Sequence, residues 1–175
     1  MKYRKIIFTT SLFALFLLCH PVFAQSKSKE VLGNAIVKSI LNNDLAGFKS
    51  LLLPRDVALK FQANHDPEST DQEVPDSLLA EYEAAYDEKV IPRHEKNFSD
   101  MVSLNKAGHL NWSHLNFMIL YKAASKGEEY IPFFIHTKLN NSAYSHFYFD
   151  AVRYKGAWYL SGNMEVTKEE KYALK

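Results

Sequence analysis

YIPFFIHTKLNNSAYSHFYFDAVRYKGAWYLSGNMEV, residues 130–166, decides the fold. Aromatic and β-branched residues crowd it, and two short polar breaks cut it, Asn140-Asn141-Ser142 and Lys155-Gly156. Runs of that composition separated by turn residues read as strands joined by hairpins. The strands are Tyr130 to Leu139, Ala143 to Tyr154 and Trp158 to Val166. A further strand, Trp112 to Tyr121, precedes a turn at Ser125-Lys126-Gly127. Together they predict a four-strand antiparallel meander.

Upstream of this stretch the apolar period changes from two to that of a helix. Val31, Leu32, Ala35, Ile36 and Ile40 share one helical face. Asn42, Asn43 and Asp44 stop that helix and cap the next, which carries Leu45, Phe48, Leu51 and Leu52. Pro54 ends it, and Val57, Ala58 and Phe61 predict one more short turn of helix. Residues 62–75 are polar and read as a long loop. Asp76 caps a helix with Leu78, Leu79, Tyr82, Ala85, Tyr86 and Val90 on one side; Pro92 is expected to kink or break it near Ile91. Phe98, Met101 and Val102 continue a helical face up to a stop at Gly108. Helices first and hairpins second define the α+β class, with helices packed on one face of a curved sheet.

The N-terminus has a different character. Lys2, Arg4 and Lys5 precede an apolar run from Ile6 to Leu18, and Val22-Phe23-Ala24 closes it. This is the tripartite pattern of a secretory signal, with cleavage expected near Ala24. The apolar run is short of the roughly 20 residues that a membrane span needs. Residues 1–24 are therefore expected to be a signal peptide. Residues 25–175 then form one secreted or periplasmic domain of about 150 residues, with no stable membrane anchor after cleavage. Cys19 is the only cysteine and lies inside the signal. The mature chain thus has no disulfide, no thiolate nucleophile and no Cys-based zinc site. The chain has 21 basic and 20 acidic residues; without Lys2, Arg4 and Lys5 the balance is 18 to 20, a net charge of −2. No clustered basic face is present, so nucleic acid is not the expected partner.

Strand alternation sorts the sheet into two sides. Leu115, Phe117, Ile119, Tyr121, Ile131, Phe133, Ile135, Leu139, Phe147, Phe149 and Ala151 read as the buried side. The other carries Trp112, His114, Asn116, Met118, Phe134, His136, Lys138, Tyr144, His146, Tyr148 and Asp150. A hairpin centred on Asn141 sets His136 opposite His146, and one centred on Ser125 sets His114 opposite His136. His114, His136 and His146 would then form a row, with Asp150 and Tyr148 beside them.

That row is the one constellation with chemical content. A His beside an Asp suits general base catalysis, and Tyr148 suits an oxyanion donor. Three converging histidines are also a donor set for zinc or copper. The competing reading is the wetter side of a half-exposed sheet, and it has the greater weight. The expectation is therefore no metal and no cofactor; Trp112, Asn116, Phe134 and Tyr144 are the candidate ligand contacts. His94-Glu95-Lys96-Asn97-Phe98 starts like a zinc-protease helix but lacks the second histidine. There is no Gly-rich phosphate loop and no nucleophile elbow.

Two segments carry a family resemblance: Asn42-Asn43-Asp44-Leu45-Ala46-Gly47-Phe48 after the first helix, and Arg153-Tyr154-Lys155-Gly156-Ala157-Trp158-Tyr159-Leu160 near the end. With the long hairpins between them, the chain resembles the nuclear transport factor 2-like proteins over most of residues 30–166. The resemblance implies a cone: a strongly curved sheet wrapped on helices, with a pocket between them. It implies either an isomerase, dehydratase or cyclase using Asp, His and Tyr, or a pocket protein with no activity. No early acidic residue matches the family's catalytic base. The favoured expectation is a non-enzymatic module that binds a small hydrophobic or aromatic ligand. The alternative is a pocket enzyme using His114, His136, His146 and Asp150. The resemblance also implies a homodimer through the sheet's outer face, because Trp112, Phe134, Tyr144 and Tyr148 would otherwise form an exposed apolar patch.

Overall fold

The computed structural model describes residues 26–65, 76–122, 130–140 and 142–170. The expected signal segment, most of the 62–75 loop and the Ser125-Lys126-Gly127 turn lie outside the described residues. The helices are α1 (Lys29–Asn42), α2 (Leu45–Lys49), α3 (Arg55–His65), α4 (Asp76–Ala85), a π-helical turn (Tyr86–Val90) and α5 (Ile91–Lys106). The strands are β1 (Met118–Lys122), β2 (Tyr130–Lys138), β3 (His146–Tyr154) and β4 (Ala157–Thr167). They form one antiparallel sheet in sequence order, so the α+β meander is the fold.

Local chemistry sets the helix ends. Ser28 caps α1, its Oγ accepting from the Val31 N–H at 3.3 Å. Asn43 then turns left-handed (φ 52°), which lets the Asp44 N–H reach back to the Ser39 carbonyl. Asp44 in turn caps α2 through the Gly47 N–H at 2.8 Å. The Pro54 carbonyl accepts the first bond of α3, so this proline starts a helix of 11 residues rather than leaving a single turn. Pro92 does not break the chain of helices. It sits in the first turn of α5, directly after the π-helical turn, where the Ile91 N–H bonds the Tyr86 carbonyl five residues back. A wider turn before a residue that has no N–H accommodates it within a continuing helical path. Gly108 (φ 72°) ends α5, with the His109 N–H on the Leu104 carbonyl and the Gly108 N–H on the Asn105 carbonyl.

The main core lies between one face of the sheet and α1, α2 and α5. Leu32, Ile36, Ile40, Phe48, Phe98 and Met101 meet Ile135, Phe147, Phe149, Ala151 and Leu160, all buried. Phe48 and Phe98 are 4.8 Å apart between ring centres. A second, smaller core forms on the opposite face of the sheet. There Leu53 and Val57, with Ala58 and Phe61 of α3, cover Tyr130, Val152, Ala157 and Tyr159. The Phe61 ring lies 5.7 Å from that of Tyr130. The sheet thus has helices on both sides at this end, which corrects the expectation of one helix-covered face.

Both edges of the sheet differ in treatment. Along β4 the Trp158 N–H donates to the Ser26 carbonyl, and Leu160 exchanges bonds with the 51–53 segment: Leu160 N–H to Leu51 O, and Leu53 N–H to Leu160 O. These short pairings cover an edge that would otherwise present open backbone groups. The β1 edge instead exposes Met118, Ile119 and Tyr121. Among the described residues no helix is long and apolar enough to cross a membrane.

Candidate functional site

The histidine row does not assemble as the turns suggested. The β2–β3 ladder pairs Lys138 with His146 and His136 with Tyr148, two residues away from the expected register. Leu139 and the following residues leave the ladder, with the Leu139 N–H bonded to the Ser145 carbonyl across a wider loop. A slip of two keeps every side chain on its side, so His136, His146 and Tyr148 still share a face. On β1 the slip is larger: Met118, not His114, pairs with His136. Residues 112–117 are not strand. Asn111 Oδ1 accepts the Ser113 N–H at 3.0 Å, and His114 takes φ 56° in an exposed turn. His114 is therefore outside the site.

What remains is a stacked column. The rings of Phe134 and Tyr148 are 5.5 Å apart, those of Tyr148 and His136 4.7 Å, and those of His136 and His146 5.1 Å. His136 Nε2 and His146 Nδ1 share a hydrogen bond at 2.9 Å. Tyr148 and His136 are fully buried, and His146 nearly so. Burial first, then the neighbouring His146, pushes the His136 pKa below the ordinary imidazole value. The pair is packed as part of the interior. Among the described residues no group of three or more His, Cys, Asp or Glu side chains is placed to hold a metal ion.

Asp150 has a structural task. β4 carries a bulge: Phe149 pairs with Met164 and Ala151 with Leu160, so Asp150 alone faces the three residues 161–163, two more than a regular ladder has there. Its Oδ2 accepts the Asn163 N–H at 3.0 Å and lies only 2.3 Å from where a Cβ on Gly162 would be. Burial raises its pKa against the opposing pull of that hydrogen bond and of Arg93. The four candidate ligand contacts do not converge either. Trp112 packs edge-on to Phe147 at 5.3 Å and donates its Nε1–H to Asn105 at 2.9 Å, on the main-core side. Tyr144 also packs on the main core, Phe134 lies on the opposite face, and Asn116 is exposed. With Tyr148 buried and Phe134, Trp112 and Tyr144 half-buried, the apolar patch that implied a dimer is not exposed.

A cavity of about 420 Å³ lies elsewhere, at the β4 edge. Three segments distant in sequence build it. Leu52 and Leu53, bonded to β4, meet Leu160 and Ser161; Ala58 and Phe61 come from α3; Tyr86, Val90, Arg93 and His94 come from the helical path through the π-helical turn into α5. The spacing of those last four puts them on one side of that path. The Tyr86 hydroxyl donates to the Leu53 carbonyl at 3.4 Å and ties the π-helical turn to the edge segment; burial raises its pKa. His94 is 3% exposed, and its Nδ1 is buried without a hydrogen-bond partner among the described residues. Desolvation, with Arg93 adding to it, lowers its pKa to about 4, so the ring is neutral near pH 7.

The walls are mostly apolar and the polar groups few, which is the composition of a small-molecule site. These residues share no signal along the chain, because no single periodicity joins residues 52–61, 86–94 and 160–161. His94 was visible only as half of a zinc-protease pattern. Compared with known proteins, the chain matches no family model, no curated protein and no solved structure.

Proposed function

We propose that the protein is an exported, non-enzymatic binding protein for a small, largely apolar ligand held in the cavity between α3, the π-helical turn with α5, and the β4 edge. The observation that carries this reading is the cavity itself: about 420 Å³, within the range of ligand sites, and walled by Leu52, Leu53, Phe61, Val90 and Leu160. The side chains present are poorly suited to acid–base chemistry. A general base works best with a pKa near the working pH, and that of His94 lies at about 4. Asp150 is occupied by the Asn163 N–H, and His136 by His146. The order of helices and then a four-strand meander supports a kinship with nuclear transport factor 2-like proteins. In this chain, however, the main core fills the space between α1, α5 and the sheet, and the cavity lies at the edge. The basic start and apolar run of residues 1–24 support export.

Thermal unfolding with a panel of small neutral apolar molecules, octanol and indole among them, tests the reading. A ligand at 100 times its Kd stabilises the folded state by about 2.7 kcal/mol, a shift of several degrees. Ala58→Phe, which puts a ring into the cavity, is expected to abolish that shift while keeping a cooperative transition. A shift that survives in Ala58→Phe places binding outside the cavity and ends the proposal.

A further inference from the structure

The cavity has a charge character that its apolar walls conceal. Among the described residues no acidic side chain lines it. Of the two nitrogen-bearing side chains among its described lining residues, His94 is neutral near pH 7, which leaves Arg93 as the one full charge among them. Arg93 is exposed and forms no ion pair or hydrogen bond among the described residues. The Ser161 hydroxyl, on the opposing wall, also makes no hydrogen bond among the described residues. The Tyr86 hydroxyl, by contrast, is committed to Leu53. The site therefore presents two uncommitted donors, one of them charged, beside apolar surface.

From this geometry we infer that the ligand is a monocarboxylate with a short apolar tail, its carboxylate on the Arg93 guanidinium and its tail against Leu52, Phe61, Val90 and Leu160. The inference rests on the binding function proposed above. A guanidinium presents a planar fork of donors that a carboxylate matches with two parallel bonds. One guanidinium balances one negative charge. A dianion such as a phosphate monoester would carry a second charge into the field of Asp150, a carboxylate close enough to feel Arg93. A cationic ligand would face Arg93 directly, with no acid among the described residues that line the cavity.

Isothermal titration of the full chain with octanoate, octanamide and octylamine at pH 7.5 and low salt tests this. These probes share a tail and differ only in the head. Octanoate is expected to bind at least about tenfold more tightly than octanamide, with octylamine weakest. Arg93→Gln is expected to bring octanoate down to the level of octanamide, and Arg93→Lys to retain a preference for the acid. Because Arg93 is exposed, both variants should keep the parent's circular dichroism and melting transition, and the comparison within the parent protein needs no variant at all. Equal binding of octanoate and octanamide, or tighter binding of octylamine, overturns the monocarboxylate while leaving the cavity as a binding site. Binding of none of the three overturns both.

Discussion

Gly33 stands in the middle of α1, where glycine costs about 1 kcal/mol of helix propensity against alanine. The structure gives the reason for that cost: a Cβ at Gly33 would lie 2.5 Å from Cζ of Phe117 and nearly as close to the two Cε atoms. The ring of Phe117, 2% exposed, is laid flat on the helix backbone, and it also packs edge-on to Phe149 at 5.9 Å. Gly33→Ala is therefore expected to destabilise, although alanine is the better helix former. Overpacking a filled core costs about 1–3 kcal/mol, which exceeds the propensity gain. Urea unfolding measures it. The double variant Gly33→Ala with Phe117→Leu should lose less than the two single losses added together, because the smaller side chain makes the room that the new methyl needs. A stabilised Gly33→Ala would show that the ring gives way freely. This contact was invisible in the sequence. Nothing in the α1 stripe says which residue of a segment some eighty positions away will lie on it.

At the scale of elements, the bulge in β4 shows how a residue with catalytic chemistry can be occupied by architecture. Asp150 sits opposite the extra residues, folds over Gly162 and satisfies the Asn163 N–H. Its raised pKa means that the folded state favours the protonated form. The stability it contributes is present at low pH and is lost as pH rises through its folded value. Asn keeps the accepting oxygen and carries no charge, so Asp150→Asn is expected to be as stable as the parent or more so at pH 7. Asp150→Ala removes the acceptor and should cost about 1 kcal/mol. Paired urea titrations decide it; an Asp150→Asn variant that loses as much as Asp150→Ala would mean that the charge itself holds the bulge.

The same scale shows what the sequence could and could not convey. The four strands, their order and the α1–α2 caps were legible, because alternation, turn residues and the Asn43-Asp44 pair act locally. The register was not. Asn140-Asn141-Ser142 reads as a tight hairpin centred on Asn141, but Leu139, in the main core, bonds to Ser145, so the connection takes in two further residues on its C-terminal side, Ala143 and Tyr144, and the register moves by two. Face parity survived that slip, so His136 and Tyr148 were correctly placed on one side, while their partners were not. Trp112 to Asn116 had strand composition but ends in an irregular approach: the Asn111 side chain turns the chain, and Trp112 finds Phe147 on the other side. Pro92 was expected to interrupt a helix, and the π-helical turn instead absorbs it.

On the scale of the whole molecule, the candidate site depends on α3 crossing to the second face of the sheet. That crossing follows from the 51–53 segment, which pairs with β4 and so carries the chain past the sheet edge before Pro54 starts α3. The cavity is the space left where this crossing meets the π-helical turn, and its residues come together only through tertiary packing. The same packing buries His94 in α5 and His136 in the sheet, which makes the stability of the whole fold sensitive to acid. Both pKa values are lowered, chiefly by burial. A histidine depressed in this way contributes stability that is fully present above its unfolded value and is lost as pH falls through its folded value. For His94 the window runs from 6.5 down to about 4, and a difference of that size corresponds to about 3 kcal/mol. His136 acts in the same direction. Asp150 opposes them, since its protonation favours folding, but it is one half-buried group that keeps a hydrogen bond when ionised. The urea midpoint is therefore expected to fall steadily between pH 6.5 and pH 4.5. In His94→Leu the charge can no longer form in the interior and the unpartnered Nδ1 is gone. That variant should match or exceed the parent at pH 7.5 and lose much less on acidification. Midpoints at pH 7.5, 6.0 and 5.0 for both proteins make the comparison, and an unchanged acid slope in His94→Leu would move the sensitivity from His94 to the His136–His146 pair.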